Sequence, residues 1–193
     1  APFGIVLVLD QFSILMVLVT SLLAFGALWY AISEGIDKKG AHFHPLFQLQ
    51  LFGLNGAFLT GDLFNLFVFF EILLLASYSL LLHAKGEGRV KAGLHYVVIN
   101  LVGSTLFLFA VGTLYGILGT LNIADLSQKV AHLSPENVSI VASAGLLLLI
   151  VFGLKAAMFP LYFWLPNAYG KTSAPVAALF AIMTKVGIYS IIR

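Results

Sequence analysis

The 193-residue sequence has no cysteine and very little charge: 10 Lys and Arg against 8 Asp and Glu, together 9% of the chain. Without cysteine there can be no disulfide, no thiolate metal site and no thiol nucleophile, and redox chemistry says nothing about compartment. The charged fraction is far below the roughly one quarter of ordinary soluble domains. With 61% hydrophobic residues and a mean hydropathy of +1.04, the chain reads as an integral membrane protein. The net charge of +2 is too small for a nucleic-acid footprint, so no nucleic acid is expected as a partner. Walker loops, dinucleotide fingerprints, zinc-ligand spacings and nucleophile elbows are all missing, so no cofactor and no metal site is expected.

What is present is a succession of long apolar runs with Gly and Pro inside them. Alternating segments of about ten residues, the mark of an outer-membrane barrel, do not occur, so the fold class is all-α and polytopic. At about twenty apolar residues per crossing, six spans fall at 5–31, 46–60, 63–82, 92–119, 138–169 and 175–192. The cluster Thr60-Gly61-Asp62 divides an apolar run too long for one crossing. Lys38, Lys39, Lys85, Arg89, Lys91 and Lys171 lie in loops on one side, against Lys129 and Arg193 on the other. The positive-inside rule makes the first side cytoplasmic and turns Ala1 outward. The chain starts Ala-Pro-Phe without Met and its last apolar run reaches almost to Arg193, as expected of part of a longer protein. No basic region opens it, so Phe3 to Leu9 is not read as a signal peptide. Between the fourth and fifth spans, Ile123, Leu126, Val130 and Leu133 recur every three or four residues, which predicts a short amphipathic helix on the outer surface.

Against this background three charges stand out. Glu71, Lys155 and Lys185 each lie near the middle of an apolar run, where a charge costs about 2.5–3.5 kcal/mol even on the lenient insertion scale. Such residues are retained where they pair or move an ion. Glu71 is flanked by Phe69, Phe70, Ile72 and Leu73, so its proton occupancy depends on how closely a lysine such as Lys155 approaches. A switchable proton site and a static Glu–Lys rivet both satisfy this pattern. Lys185 suits proton relay or snorkelling to an interface.

The fifth span carries two prolines, Pro160 and Pro166. Each lacks a backbone donor and opposes the carbonyl four residues earlier, at Ala156 and Tyr162, so the helix is expected to break there with Lys155 one turn before. Transporters place ion sites at such breaks. Asp10, Asp62, His83 and His95 sit nearer helix ends, where solvation gives them structural roles. Asn65, Ser77, Tyr78, Asn100, Ser104 and Thr105 fit interhelical hydrogen bonding better than a hydrated path, and Gly112-x-x-x-Gly116 is a close-packing signal.

The run Phe58-Leu-Thr-Gly-Asp-Leu-Phe-Asn-Leu-Phe-Val-Phe-Phe-Glu71 resembles the antiporter-like subunits shared by Mrp cation/proton antiporters and respiratory complex I, most closely the Mrp D subunits. The resemblance continues through Gly153-Leu-Lys-Ala-Ala-Met-Phe-Pro-Leu-Tyr-Phe-Trp-Leu-Pro166 and Thr184-Lys-Val-Gly-Ile-Tyr189. It implies that the six spans are the third to eighth helices of a fourteen-helix fold. Residues 1–45 would then be a leading helix with its cytoplasmic loop, and 46–193 one five-helix inverted repeat with its broken helix. Glu71, Lys155 and Lys185 match the family's proton-translocating positions. The implied function is that of a subunit of a multisubunit Na⁺ or K⁺/proton antiporter in a bacterial inner membrane, a secondary transporter rather than an enzyme. Its partners would be the other subunits, the lipid bilayer, protons and Na⁺ or K⁺. The alternative is a proton-pumping subunit of complex I or a membrane-bound hydrogenase, driven by electron transfer.

Overall fold

The computed structural model describes residues 5–83 and 87–193; the placement of Ala1, of Phe3 and of Lys85 lies outside them. Eight helices follow one another among the described residues: α1 (Gln11–Ser33), α2 (Phe43–Leu59), α3 (Leu63–Leu82), α4 (Glu87–Leu118), α5 (Ile123–Ala131), α6 (Pro135–Lys155), α7 (Leu165–Lys171) and α8 (Ala174–Ile192). Five of them, α1, α3, α4, α6 and α8, are long and apolar enough to cross a membrane. The sixth expected span, 46–60, is α2, whose 17 residues rise only about 25 Å at 1.5 Å each, short of a ~30 Å hydrocarbon core.

Local chemistry sets the helix boundaries. Hydropathy predicts the first span from residue 5, but α1 starts after Asp10, whose carboxylate accepts from the Ser13 amide at 2.8 Å while Ser13 Oγ accepts from the Asp10 amide at 2.8 Å. This capping box satisfies two donors that would otherwise be orphaned. Residues 5–9 are extended instead: the Val8 amide donates to the Leu59 carbonyl at 2.6 Å and the Gly61 amide to Val6 at 2.9 Å. Asp62 caps α3 through the Asn65 amide, and Asn122 caps α5 through those of Ala124 and Asp125. The expected turn at Thr60-Gly61-Asp62 and the expected surface helix α5 are both present.

Two helices end alike. After α1, the Gly35 amide donates to Ile32 and the Ile36 amide to Ala31, with Gly35 at φ 62°. After α6, the Ala157 amide donates to Leu154 and the Met158 amide to Gly153, with Ala157 at φ 53°. Both are Schellman motifs, but the second puts a Cβ in the left-handed region, at a cost of about 1–2 kcal/mol. The interruption of the fifth span therefore starts at Ala156 and Ala157, before Pro160 is reached. Pro160 lies within the non-helical stretch 156–164, and Pro166 sits in the first turn of α7, where a missing amide costs nothing. The break is a capped helix end rather than a proline kink.

Packing is closest where side chains are smallest. Thr20, Ala24, Ala27 and Ala31 form the buried face of α1, which packs against α2 and α8. A Cβ on Gly187 of α8 would lie 2.6 Å from the Ala156 amide nitrogen and 2.7 Å from the Phe152 carbonyl oxygen, so the two backbones touch at the end of α6. By contrast, a Cβ on Gly112 or Gly116 would meet nothing within 4 Å, so that motif seats no helix among the described residues.

Gly187→Ala should force α8 off the C-terminal end of α6, because the obstructing atoms are main chain. The expected cost is about 1–3 kcal/mol, typical of overpacking. Thermal unfolding of the purified protein in detergent checks this, with Gly26→Ala, which meets nothing within 4 Å, as the matched control. An unchanged midpoint for Gly187→Ala would contradict the close approach.

Candidate functional site

The C-terminal end of α6 places Lys155 in a buried position, 5% exposed. Its ammonium there faces the negative end of the helix macrodipole, which offsets part of the cost of burial. Facing it on α4 is a polar stripe at intervals of four, Tyr96, Asn100 and Ser104, all buried. Lys155 Nζ donates to Ser104 Oγ at 3.2 Å, makes a longer contact with the Asn100 carbonyl at 3.5 Å, and lies 5.3 Å from the centre of the Phe70 ring. Aromatic faces attract cations, so Phe70 adds to the stabilisation of this charge.

Glu71 reaches the same point from α3, partly buried, and accepts a hydrogen bond from the Ser104 hydroxyl. Among the described residues the ion pairs are His44–Asp37, Lys129–Asp125 and Arg193–Asp10, so Glu71 and Lys155 are not in direct contact. Ser104 bridges them. A hydroxyl has one proton to donate and two lone pairs, so it can accept from the ammonium while donating to the carboxylate. It can also take a proton from Lys155 as it passes its own to Glu71, which leaves both end groups neutral.

A void of about 10 Å³ adjoins Lys155, lined by Phe70, Leu73, Leu74, Tyr96, Asn100 and Met183, near the lower limit for one water. Beyond it the Tyr96 hydroxyl bonds Ser77 at 2.7 Å and approaches Met183 Sδ at 3.5 Å. Trp164, from the break, donates to the Leu154 carbonyl at 3.0 Å and packs on Tyr96 with ring centres 5.3 Å apart. The interrupted segment is thereby tied to both the end of α6 and the α4 stripe.

Lys185 is not part of this cluster. Its neighbours Thr184, Val186 and Gly187 are buried, whereas Lys185 is exposed on the opposite face of α8 and makes only a 3.5 Å contact with Thr184 Oγ1. The residues expected to serve structure do so: Asp10 and Asp62 cap helices, His83 Nε2 lies 3.3 Å from the Ile36 carbonyl, and Asn65 donates to Thr60. Of the residues expected to bond between helices, Thr105 and the Asn100 side chain instead donate to their own helix, at Leu101 and Tyr96, whereas Ser104 does join helices, and the i, i+4 stripe with Tyr96 and Asn100 is the signal for it.

A family model described as NADH:quinone oxidoreductase/Mrp antiporter, TM matches residues 60–193. The chain belongs to this family. It is 58% identical over 193 residues to the D subunit of a probable K(+)/H(+) antiporter of Rhizobium meliloti (strain 1021), covering all of this chain and 36% of that protein. It is 46% identical to the D subunit of the Na(+)/H(+) antiporter of Alkalihalophilus pseudofirmus, covering all of this chain and 39% of that one. The chain thus spans rather more than one third of the length of these curated relatives. Among solved structures, the Mrp complex from Dietzia sp. DQ12-45-1b is similar over 98% of this chain and 35% of that one, at 40% identity and a TM-score of 0.90. Respiratory complex I from Thermus thermophilus is similar over 97% of this chain and 38% of its own, at 30% identity and a TM-score of 0.79.

Replacing the bridging hydroxyl tests the geometry directly. Ser104→Ala should lower stability by about 1.5–3 kcal/mol, the worth of a hydrogen bond to a charged group. Ser104→Thr, which keeps the hydroxyl, should recover much of that loss. Thermal unfolding of the purified protein in detergent decides it, and an unchanged midpoint for the Ala variant would contradict the bridging role of the hydroxyl.

Proposed function

We propose that this chain is the proton-translocating part of a membrane subunit of a multisubunit Na⁺ or K⁺/proton antiporter, multi-pass in a bacterial inner membrane and assembled with other subunits. The buried Lys155–Ser104–Glu71 bridge carries this reading, because it joins three helices through groups that can each hold or hand on a proton. The antiporter names of the relatives at 58% and 46% identity favour it over a redox-driven pump. In this reading residues 1–45 are a leading helix with its cytoplasmic loop and 46–193 form one translocating repeat.

The chemistry follows from the charges. With Glu71 ionised, its field through Ser104 favours a protonated Lys155; with Glu71 neutral, the buried ammonium loses that support and releases its proton. Lys185, on the outward face of α8, is the group that would receive the proton and pass it to the remainder of the longer protein. The non-helical stretch 156–164 supports access to Lys155 from one side, since irregular backbone within a membrane is found where protein or a hydrated cavity satisfies it. Pro160 and Pro166 would hold that stretch from re-forming a continuous helix.

Lys155→Ala in the full-length subunit should abolish antiport, with cation-induced collapse of ΔpH in everted vesicles as the readout. Wild-type activity at normal complex abundance would end this account.

Glu71 separates a switch from a rivet. Glu71→Asp should keep partial antiport with an altered pH profile, whereas Glu71→Gln, which retains shape but has no titratable charge, should lose nearly all of it. A rivet predicts poor assembly for both variants instead. Antiport measured against pH in vesicles matched for complex content distinguishes them, and a fully active Glu71→Gln protein would take Glu71 out of the mechanism.

A further inference from the structure

A cleft of about 580 Å³ lies between the start of α4 and α7, and it shares no lining residue with the void beside Lys155. It is lined by Gly88, Lys91, Ala92, His95, Asn167 and Lys171. Among the described residues, no acidic side chain is in that lining. Lys171 Nζ lies 3.9 Å from where a Cβ of Gly88 would sit, so its ammonium is directed at the first turn of α4. Two lysines, a histidine and a side-chain amide thus line one cleft.

His95, in the lining, packs on Phe163 with ring centres 6.1 Å apart, and Phe163 is half exposed. Phe159, in the same non-helical stretch, is 85% exposed. On α4, Leu94 and Val98 also face outward. Cationic donors in the cleft, with exposed aromatic and aliphatic side chains on α4 and the stretch leading into α7, match a molecule with an anionic head and hydrocarbon tails. A free phosphate would use only the cationic donors.

We propose that this cleft binds an anionic phospholipid, its phosphate held by Lys91, Lys171 and Asn167 and its acyl chains along Phe159, Phe163 and Leu94. Basic recesses between transmembrane helices on the positively charged side of a membrane protein are suited to such headgroups. The site is independent of the proposed antiport, because none of the cleft's lining residues hydrogen-bonds to Glu71, Ser104 or Lys155 among the described residues.

The test starts from a purified, delipidated complex that contains the full-length protein. It is titrated with phosphatidylglycerol or phosphatidylcholine in detergent, and bound lipid is counted by native mass spectrometry. The unmodified complex should retain one phosphatidylglycerol more than Lys91→Gln/Lys171→Gln, whose apparent affinity at this site should fall about 30-fold, while Lys91→Arg/Lys171→Arg retains it. Equal phosphatidylglycerol occupancy in the Gln variant, or equal retention of phosphatidylcholine, would overturn the proposal. Displacement of the lipid by millimolar inorganic phosphate would overturn a lipid as the source and leave a soluble phosphate in its place. Should the Gln variant fail to assemble, the Arg variant still decides, since loss of lipid with charge retained would also refute the assignment.

Discussion

Everything near the centre of this bundle is arranged around one ammonium group that has been taken out of water. Lys155 sits at the last turn of α6, and its positive charge is met from four directions: the helix end behind it, the Asn100 carbonyl and Ser104 hydroxyl on α4, and the Phe70 ring on α3. None of these is a full negative charge. The carboxylate of Glu71 acts through the Ser104 hydroxyl. An isolated buried cation would be costly, and a tight ion pair would hold its proton firmly. Here the charge is supported by dipoles and by a carboxylate one hydroxyl away, without a direct ion pair.

The end of α6 serves this arrangement twice. Its termination fixes where the lysine stands along the bundle, and the carbonyls left over at its C-terminus are satisfied by Ala157, Met158 and Trp164. Gly187 then brings the backbone of α8 against the same turn. The segment that follows can leave helical geometry without orphaning the end of α6, because the cap has already paired its carbonyls. Trp164, packed on Tyr96, carries the position of the break back to the polar stripe on α4.

At one end of the bundle, residues 5–9, the corner at Thr60–Asp62 and the Leu121–Asn122 segment exchange backbone hydrogen bonds, and Arg193 pairs with Asp10 at 2.7 Å. The Ser13 amide first, then neighbouring groups that include Arg193, hold the Asp10 carboxyl below the usual carboxylate range. At the other end His83 meets the Ile36 loop and Lys171 meets the start of α4. The two sets of loops separate as the distribution of Lys and Arg in the sequence demands.

The amino-acid order alone determined the helical class, most helix limits, the turn at Thr60-Gly61-Asp62, the surface helix α5 and the isolation of Glu71 and Lys155 in apolar runs. These are consequences of hydropathy, periodicity and capping chemistry, all of which act over a few residues. It also determined the interruption after Lys155, though not its cause, since left-handed geometry at an alanine has no local signature and Pro160 offered a more conspicuous explanation. Only the tertiary structure decided that Ser104 stands between Glu71 and Lys155, because those residues are 33 and 51 positions from it and their meeting depends on how α3, α4 and α6 pack. The same packing turned Lys185 to the outer face of α8, a choice between helix faces that sequence spacing cannot make when both faces are apolar.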